Sequence, residues 1–410
     1  MVKAMGMLGN LSRGLASYQK HLLYQSCVLP IATYGYRLWY FEGAWVKGLL
    51  NQFACMQRHT AVWITGAFHT SPTGGTEALV GLIPFHLHIQ KLAKQSMFWV
   101  KMLSVNHALN ALLGSGNSQG VTPHPRSLAL LPDAQRTKVK GSLVEADSHL
   151  SELSETFNTC APEACPGNRL LDIFKNRVQF FDAPPSKEEE AYSNHMDDLD
   201  LALDQATHDP SVAVCVMDTS LPLHGNFQAV LAAQIHVGGA LVYAMCRPVG
   251  LVLAPDAEQA AIRLALCKAT TLPRCKSILV FTDSLALARR AVDPSIQSGQ
   301  FLSLAVVQSL CPWLEASADW VVQVYQVPSK EEWHCHKEAH NFASDLKVLV
   351  GMHALTSLNY LCAQGTKKCL DRWTTLFGVP SFHGNQFLEL TNRLDKLMKP
   401  RYTGGGAWLS

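Results

Sequence analysis

The chain has 410 residues, 48% of them hydrophobic and 16% charged, with a formal net charge of +2. That length can supply two or three domains with real cores, and so small an excess of charge excludes a protein held to nucleic acid by its overall field; any basic surface must be local. Twelve cysteines occur without a Cys-x-x-Cys pair and no charged-then-apolar leader opens the sequence, which predicts reduced thiols in an intracellular protein. The best apolar runs, such as SMFWVKMLSV, are broken by Lys101 and are too short to span a bilayer, so no membrane role is expected.

Residues 1–110 are rich in Leu, Ala, Trp, His and Gln and read as a mostly helical region. Arg37, Lys47, Arg58 and Lys91 lie there among Trp and Tyr and could line a nucleic-acid path, while Trp39 and Trp63 read as core. Residues 111–207 carry GSGNSQG, TPHPRS and DAPPSKEEE and then an acidic stretch, the composition of a low-order linker with short helices. Cys160 and Cys165 within it lack two further ligands nearby and predict no zinc site.

From 208 to 348 strands and helices alternate. SVAVCVMDTS is a β-branched run ending near Asp218; FQAVLAAQIHV, then Gly238-Gly239, then ALVYAMCRPVG predict an antiparallel hairpin. PDAEQAAIRLALCKAT has Pro255 and Asp256 at its start and Ala257, Ala261, Leu264 and Ala265 at helical spacing. SILVFTDS is a short buried strand expected to run parallel to the first, followed by two helices, a strand in DWVVQVYQV and a closing helix in KEEWHCHKEAHNFASDLKVL. Five strands result. The remaining 349–410 read as a tail with little periodicity, and TGGGAW within it lacks the Lys-Ser/Thr of a phosphate loop.

Three acids stand out by position. Asp218 ends the first strand, Asp283 follows the fourth, and Glu258 falls in the first turn of the first long helix. If those two strands are neighbours the three carboxylates meet, and clustered carboxylates need a cation to coexist, with hard oxygen donors suiting Mg²⁺ or Mn²⁺. Each acid taken alone is equally a cap or turn residue.

The order of elements and acids resembles the type 1 ribonuclease H family: MDTS, AEQAAI and FTDSLALARRA match its acid motifs, and VPSKEEWHCHKEAHNFA its last strand-to-helix passage. In the same way, LSRGLASYQKHLLYQSCVLPIATYGYRLWY, MQRHTAVWITGAFHTSPTGGTEALVGLIPFHLHIQKL and SLNYLCAQGTKKCLDRWTTLFGVPSFHGNQF look like the thumb and connection region after the polymerase palm of a non-LTR retrotransposon polyprotein. The resemblance implies an α/β ribonuclease H-like domain with a five-stranded mixed sheet, cutting the RNA strand of an RNA–DNA hybrid with Mg²⁺ or Mn²⁺ held by Asp218, Glu258 and Asp283. No polymerase motif accompanies it; HMDD, from His195 to Asp198, lies in the expected linker, so no reverse transcriptase activity is expected.

Two departures bear on activity. His340 stands where family members usually carry a fourth acid, and Lys330 where a loop histidine is often found; Glu338 and Asp345 are off-register as replacements. His340, with His336 one turn earlier, could serve as a metal ligand, although imidazole suits Zn²⁺ or Mn²⁺ better than Mg²⁺. Thr219, Ser220 and Ser284 flank the aspartates and could read the 2′-hydroxyls of a hybrid, and Arg289 with Arg290 is the nearest basic pair for phosphates. The departures leave a second expectation open, a catalytically decayed, element-derived protein that binds hybrid or a partner without cutting it.

Overall fold

The computed structural model describes residues 14–40, 47–101, 170–185, 188–222, 225–295, 297, 299–328, 333–351 and 355–386. GSGNSQG, Cys160, Cys165, Lys330 and TGGGAW lie outside them, as does the side chain of Arg37. The described residues fall into two compact units, one drawn from Met1–Val100 and Cys362–Ser410, the other from Leu153–Leu361.

The second unit is built on a mixed sheet of six strands, one more than the sequence predicts. In chain order these are β1 (Val178–Phe181), β2 (Val212–Ser220), β3 (Ala229–Val237), β4 (Ala240–Gly250), β5 (Ser277–Thr282) and β6 (Val321–Gln326), arranged β1-β6-β5-β2-β3-β4. β1, β6, β5 and β2 run parallel, and β3 and β4 are antiparallel additions. The added strand, β1, comes from the segment expected to be linker. Only four residues long, it has little local signal and is held from outside: Arg177 donates from Nε to the Trp320 carbonyl and from Nη2 to those of Leu314 and Ser317. The β3–β4 hairpin turns at Gly238 and Gly239, whose φ values of 56° and 73° are the two positive values its tight turn requires.

Helices cover both faces of this sheet. On one, α6 (Ala254–Ala269), α7 (Leu285–Ala291) and α8 (Gln300–Glu315) pack Ala257, Ala261, Ala265, Ala288, Val306 and Leu310 onto Cys215, Met217, Leu231, Ile278 and Val280. On the other, α5 (Glu189–Thr207) and α9 (His334–Asp345) bury Leu199, Ala206, Ala339 and the preceding Trp333 against Val214, Val216, Leu279 and Phe281. A central strand buried on both sides must be apolar throughout rather than alternating, which is why β2 and β5 read as continuous β-branched runs.

α5 is a second correction, since 19 helical residues occupy the end of the expected linker. Its first-turn Glu189 and Glu190 favour the helix dipole. Its buried stripe is anchored by two polar contacts: His195 Nε2 lies 2.7 Å from the Gln326 carbonyl, and Asp200 Oδ1 accepts from Trp333 Nε1 at 2.8 Å. HMDD therefore sits on a structural helix.

The expected tail also contains α10 (Leu358–Phe377), 20 residues long. The segment before it is fixed to the sheet unit at Asp256, a buried acid in the first turn of α6 that accepts from Ser357 Oγ at 2.6 Å and from Asn359 Nδ2 at 2.5 Å. Gly250, with φ of 89°, lets the Leu355 carbonyl come in where a Cβ would overlap it.

The first unit comprises α1 (Ser17–Leu23), a π-helical turn over Tyr24–Val28, α2 (Lys47–Thr65), α3 (Thr73–Val80), α4 (Phe85–Lys101) and the part of α10 from Cys362 onward. Tyr24, Val28, Ala61 and Ile64 make one apolar cluster; Ala78, Leu87, Trp373 and Phe377 make another. Trp39 stacks on Phe53 and Trp63 packs against the first cluster, so both are core side chains, as their spacing predicts. Between α1, α2 and α3 lies a buried polar chain. Tyr24 donates to Gln57 Oε1 at 3.2 Å, and Gln57 Nε2 donates to Glu77 Oε1 at 2.7 Å and to the Ile83 carbonyl at 3.0 Å. Burial pushes the Glu77 carboxyl up from 4.5 to about 7, with the Gln57 hydrogen bond opposing.

A carboxyl whose pKa is raised on folding gives stability that is complete below its unfolded value and lost as pH rises through the folded one. Stability of the helical unit should therefore fall by about 3 kcal/mol between pH 4.5 and pH 8 through Glu77 alone. Urea denaturation of the full chain, followed by fluorescence, should show this slope, and Glu77→Gln should remove it; an unchanged slope in the variant would assign the effect elsewhere.

Candidate active site

β2 pairs in parallel with β5, Val216 opposite Phe281. Asp218 and Asp283 each lie two residues beyond that pair, so equal register sets them side by side, and the two-residue period turns both toward the face that carries Val216 and Phe281. β2 is also the strand at which the sheet changes direction, with parallel β5 on one side and antiparallel β3 on the other. Crevices at the carboxyl ends of such strands are where open α/β sheets bind ligands.

Asp218 is held at both oxygens. Oδ1 accepts the Thr219 backbone N–H at 2.6 Å, and Oδ2 accepts from Nδ1 of His340, on α9, at 2.7 Å. The aspartate side chain is 10% exposed and the imidazole 57%, so the contact lies at the mouth of the site. Glu258 comes from α6. The sequence reading needs correction here: α6 begins at Ala254, so its first turn holds Asp256 and Glu258 falls just beyond it.

The three acids feel one another. Burial pushes Glu258 up to about 7, the negative charge of Asp283 adds to the rise, a hydrogen bond from Ser284 opposes it, and Asp218 adds again. Asp283 is likewise raised, first by burial and then by Asp218, against the attraction of His336. His336 Nε2 is buried with no hydrogen-bond partner. The two histidines of α9, four residues apart, thus each serve a different aspartate.

The hydroxyl residues fall in different roles. Ser284 stands at the N-terminus of α7 without capping it, and its side chain bonds Glu258 instead. Thr219 and Ser220 are half-buried strand residues paired with Leu231 and Val230. Arg289 forms a two-pronged pair with Asp182 at 3.0 and 2.5 Å, Arg290 Nε donates to Gln297 Oε1, and Arg58 donates to Thr73 and the His69 carbonyl. None of these three arginines is left for a phosphate without breaking a contact. Glu338 lies near His236 and Cys335, and Asp345 near Cys246, which places both in other neighbourhoods. The field of His336 on Asp283 and the clamp on Asp256 are the contacts that sequence reasoning missed. The first was half-visible in the four-residue spacing of the histidines; the second joins residues 101 and 103 positions apart and had no local signal.

Among the described residues no group of three or more His, Cys, Asp or Glu side chains stands at the spacing that would hold a metal ion. The donor chemistry nevertheless fits a hard divalent cation: three carboxylates, two of them raised by burial and mutual repulsion, are the arrangement that a bound positive charge relieves.

No protein-family model matches the chain, and no curated protein does. Among solved structures it is similar to the N-terminal RNase H domain of rv2228c from Mycobacterium tuberculosis, at 16% identity over 33% of this chain and 95% of that one, with a TM-score of 0.25. It is similar also to the RNase H domain of PFV, at 16% identity over 39% of this chain and 95% of that one, TM-score 0.25. A third similar structure is the prototype foamy virus protease–reverse transcriptase, at 18% identity over 38% of this chain and 20% of that one, TM-score 0.24.

The electrostatics of the cluster can be checked in the metal-free chain. Carbon-13 NMR of labelled glutamate should find Glu258 titrating near pH 7. Asp283→Asn should move that midpoint down toward 4.5, and Ser284→Ala should move it up. An ordinary midpoint, insensitive to both changes, would mean that the three acids do not share a site.

Proposed function

We propose that the sheet unit is a metal-dependent endonuclease of the ribonuclease H type, cutting the RNA strand of an RNA–DNA hybrid. The observation that carries this reading is the equal register of β2 and β5, which puts Asp218 beside Asp283 within the field of Glu258. Asp218, Asp283 and Glu258 would hold Mg²⁺ or Mn²⁺. When bound, such an ion activates a water and stabilises the leaving oxygen of a phosphodiester.

The chain's own groups prepare for that chemistry. The Thr219 N–H fixes one oxygen of Asp218 and so orients the other. The Ser284 hydroxyl steadies Glu258 in its ionised form, opposing the burial that would protonate it. An A-form hybrid offers 2′-hydroxyls on one strand in a wide, shallow minor groove, and Thr219 and Ser220 lie beside Asp218 where short polar groups could meet them. Products would carry 3′-hydroxyl and 5′-phosphate ends. The retrotransposon origin of the chain and the thumb-like role of its helical unit belong to the same proposal and rest on the sequence resemblance.

One contact favours a second reading. His340 already occupies Oδ2 of Asp218, the position a cation would need, which suits a decayed protein that binds hybrid or a partner without cutting.

An end-labelled hybrid incubated with the purified chain in Mg²⁺ and in Mn²⁺ separates the two. The nuclease reading expects RNA-strand cutting that Asp283→Asn reduces at least 100-fold, the scale for losing an interaction made only in the transition state. Hybrid retained by a folded chain that cuts in neither metal would leave the binding reading in its place.

A further inference from the structure

α9 presents two imidazoles to the acids, one turn apart. His340 Nδ1 stands 2.7 Å from Asp218 Oδ2. His336 attracts Asp283 and keeps Nε2 buried with no hydrogen-bond partner. A buried imidazole nitrogen without a partner is costly and calls for an explanation, and an absent ion is a common one. The His340 contact has a second meaning as well. Two donors bound to one first-row ion at a right angle, each with a bond of about 2.1 Å, sit about 3 Å apart. A nitrogen and an oxygen 2.7 Å apart are therefore nearly at the spacing of neighbouring ligands. Replacing the shared proton by an ion needs only a small outward shift, and the exposed ring of His340 has room for it.

We infer that His336 and His340 join Asp218, Glu258 and Asp283 as ligands, making a mixed carboxylate–imidazole site that takes Mn²⁺ in preference to Mg²⁺. The inference rests on the metal-dependent reading above and specifies its ion. Mg²⁺ holds oxygen donors and dehydrates reluctantly, so imidazoles weaken a site for it; Mn²⁺ accepts carboxylate oxygen and bonds imidazole nitrogen more readily.

Electron paramagnetic resonance of the full chain with Mn²⁺ tests this without any turnover. Pulsed spectra of the bound ion should show nitrogen-14 modulation from imidazole. His336→Asn with His340→Asn should abolish the modulation and weaken Mn²⁺ by about tenfold or more while changing Mg²⁺ binding little, as judged by competition. Bound Mn²⁺ that lacks nitrogen modulation but is lost in Asp283→Asn would overturn the imidazole assignment and leave the carboxylate site standing. Binding unaffected by Asp283→Asn would remove both. The modulation is read on the unaltered chain, so misfolding of a variant cannot mimic either result.

Discussion

Everything at the site depends on one parallel pairing. β2 and β5 lie side by side in equal register, and each carries an aspartate two residues past the Val216–Phe281 pair. A shift of one residue would turn one aspartate to the opposite face of the sheet and separate the charges. The pairing is protected because both strands are buried on both faces, between the alanine-rich helix α6 and the helices α5 and α9. The small side chains Ala257, Ala261 and Ala265 let α6 approach the sheet closely, and that approach carries Glu258 to the aspartates.

Burial then sets the chemistry. Desolvation is the largest cause of the rise in both Glu258 and Asp283, and the neighbouring carboxylates add to it. The protein offsets this with short local contacts: a backbone N–H and an imidazole on Asp218, a hydroxyl on Glu258, and the field of an imidazole on Asp283. No Lys or Arg is among those partners. The cluster is stabilised enough to fold and remains electron-rich enough to take a cation, a balance suited to function rather than to stability.

What the sequence made legible was local. β-branched runs, the Gly-Gly turn and the alanine periodicity gave five strands, their helices and the three acids in order, because each signal lies within a few residues of the structure it specifies. The missing parts are those fixed from a distance. β1 is a four-residue strand whose anchor, Arg177, bonds carbonyls more than 130 residues away. α5 was hidden by an acidic composition that also suits a linker, and its amphipathic stripe has meaning only against the second face of the sheet. Asp256 resembled an ordinary first-turn acid until Ser357 and Asn359 met it. His340 was placed correctly beside Asp218, but the separate attachment of His336 to Asp283 needed the orientation of α9.

The central claim is that Asp218, Glu258 and Asp283 form one cation site. Crystals of the chain grown with Mn²⁺ and measured at the manganese absorption edge test it most directly. The account predicts an anomalous peak in contact with carboxylate oxygens of all three residues. A well-ordered sheet unit with no peak there, or with its manganese elsewhere, would contradict it.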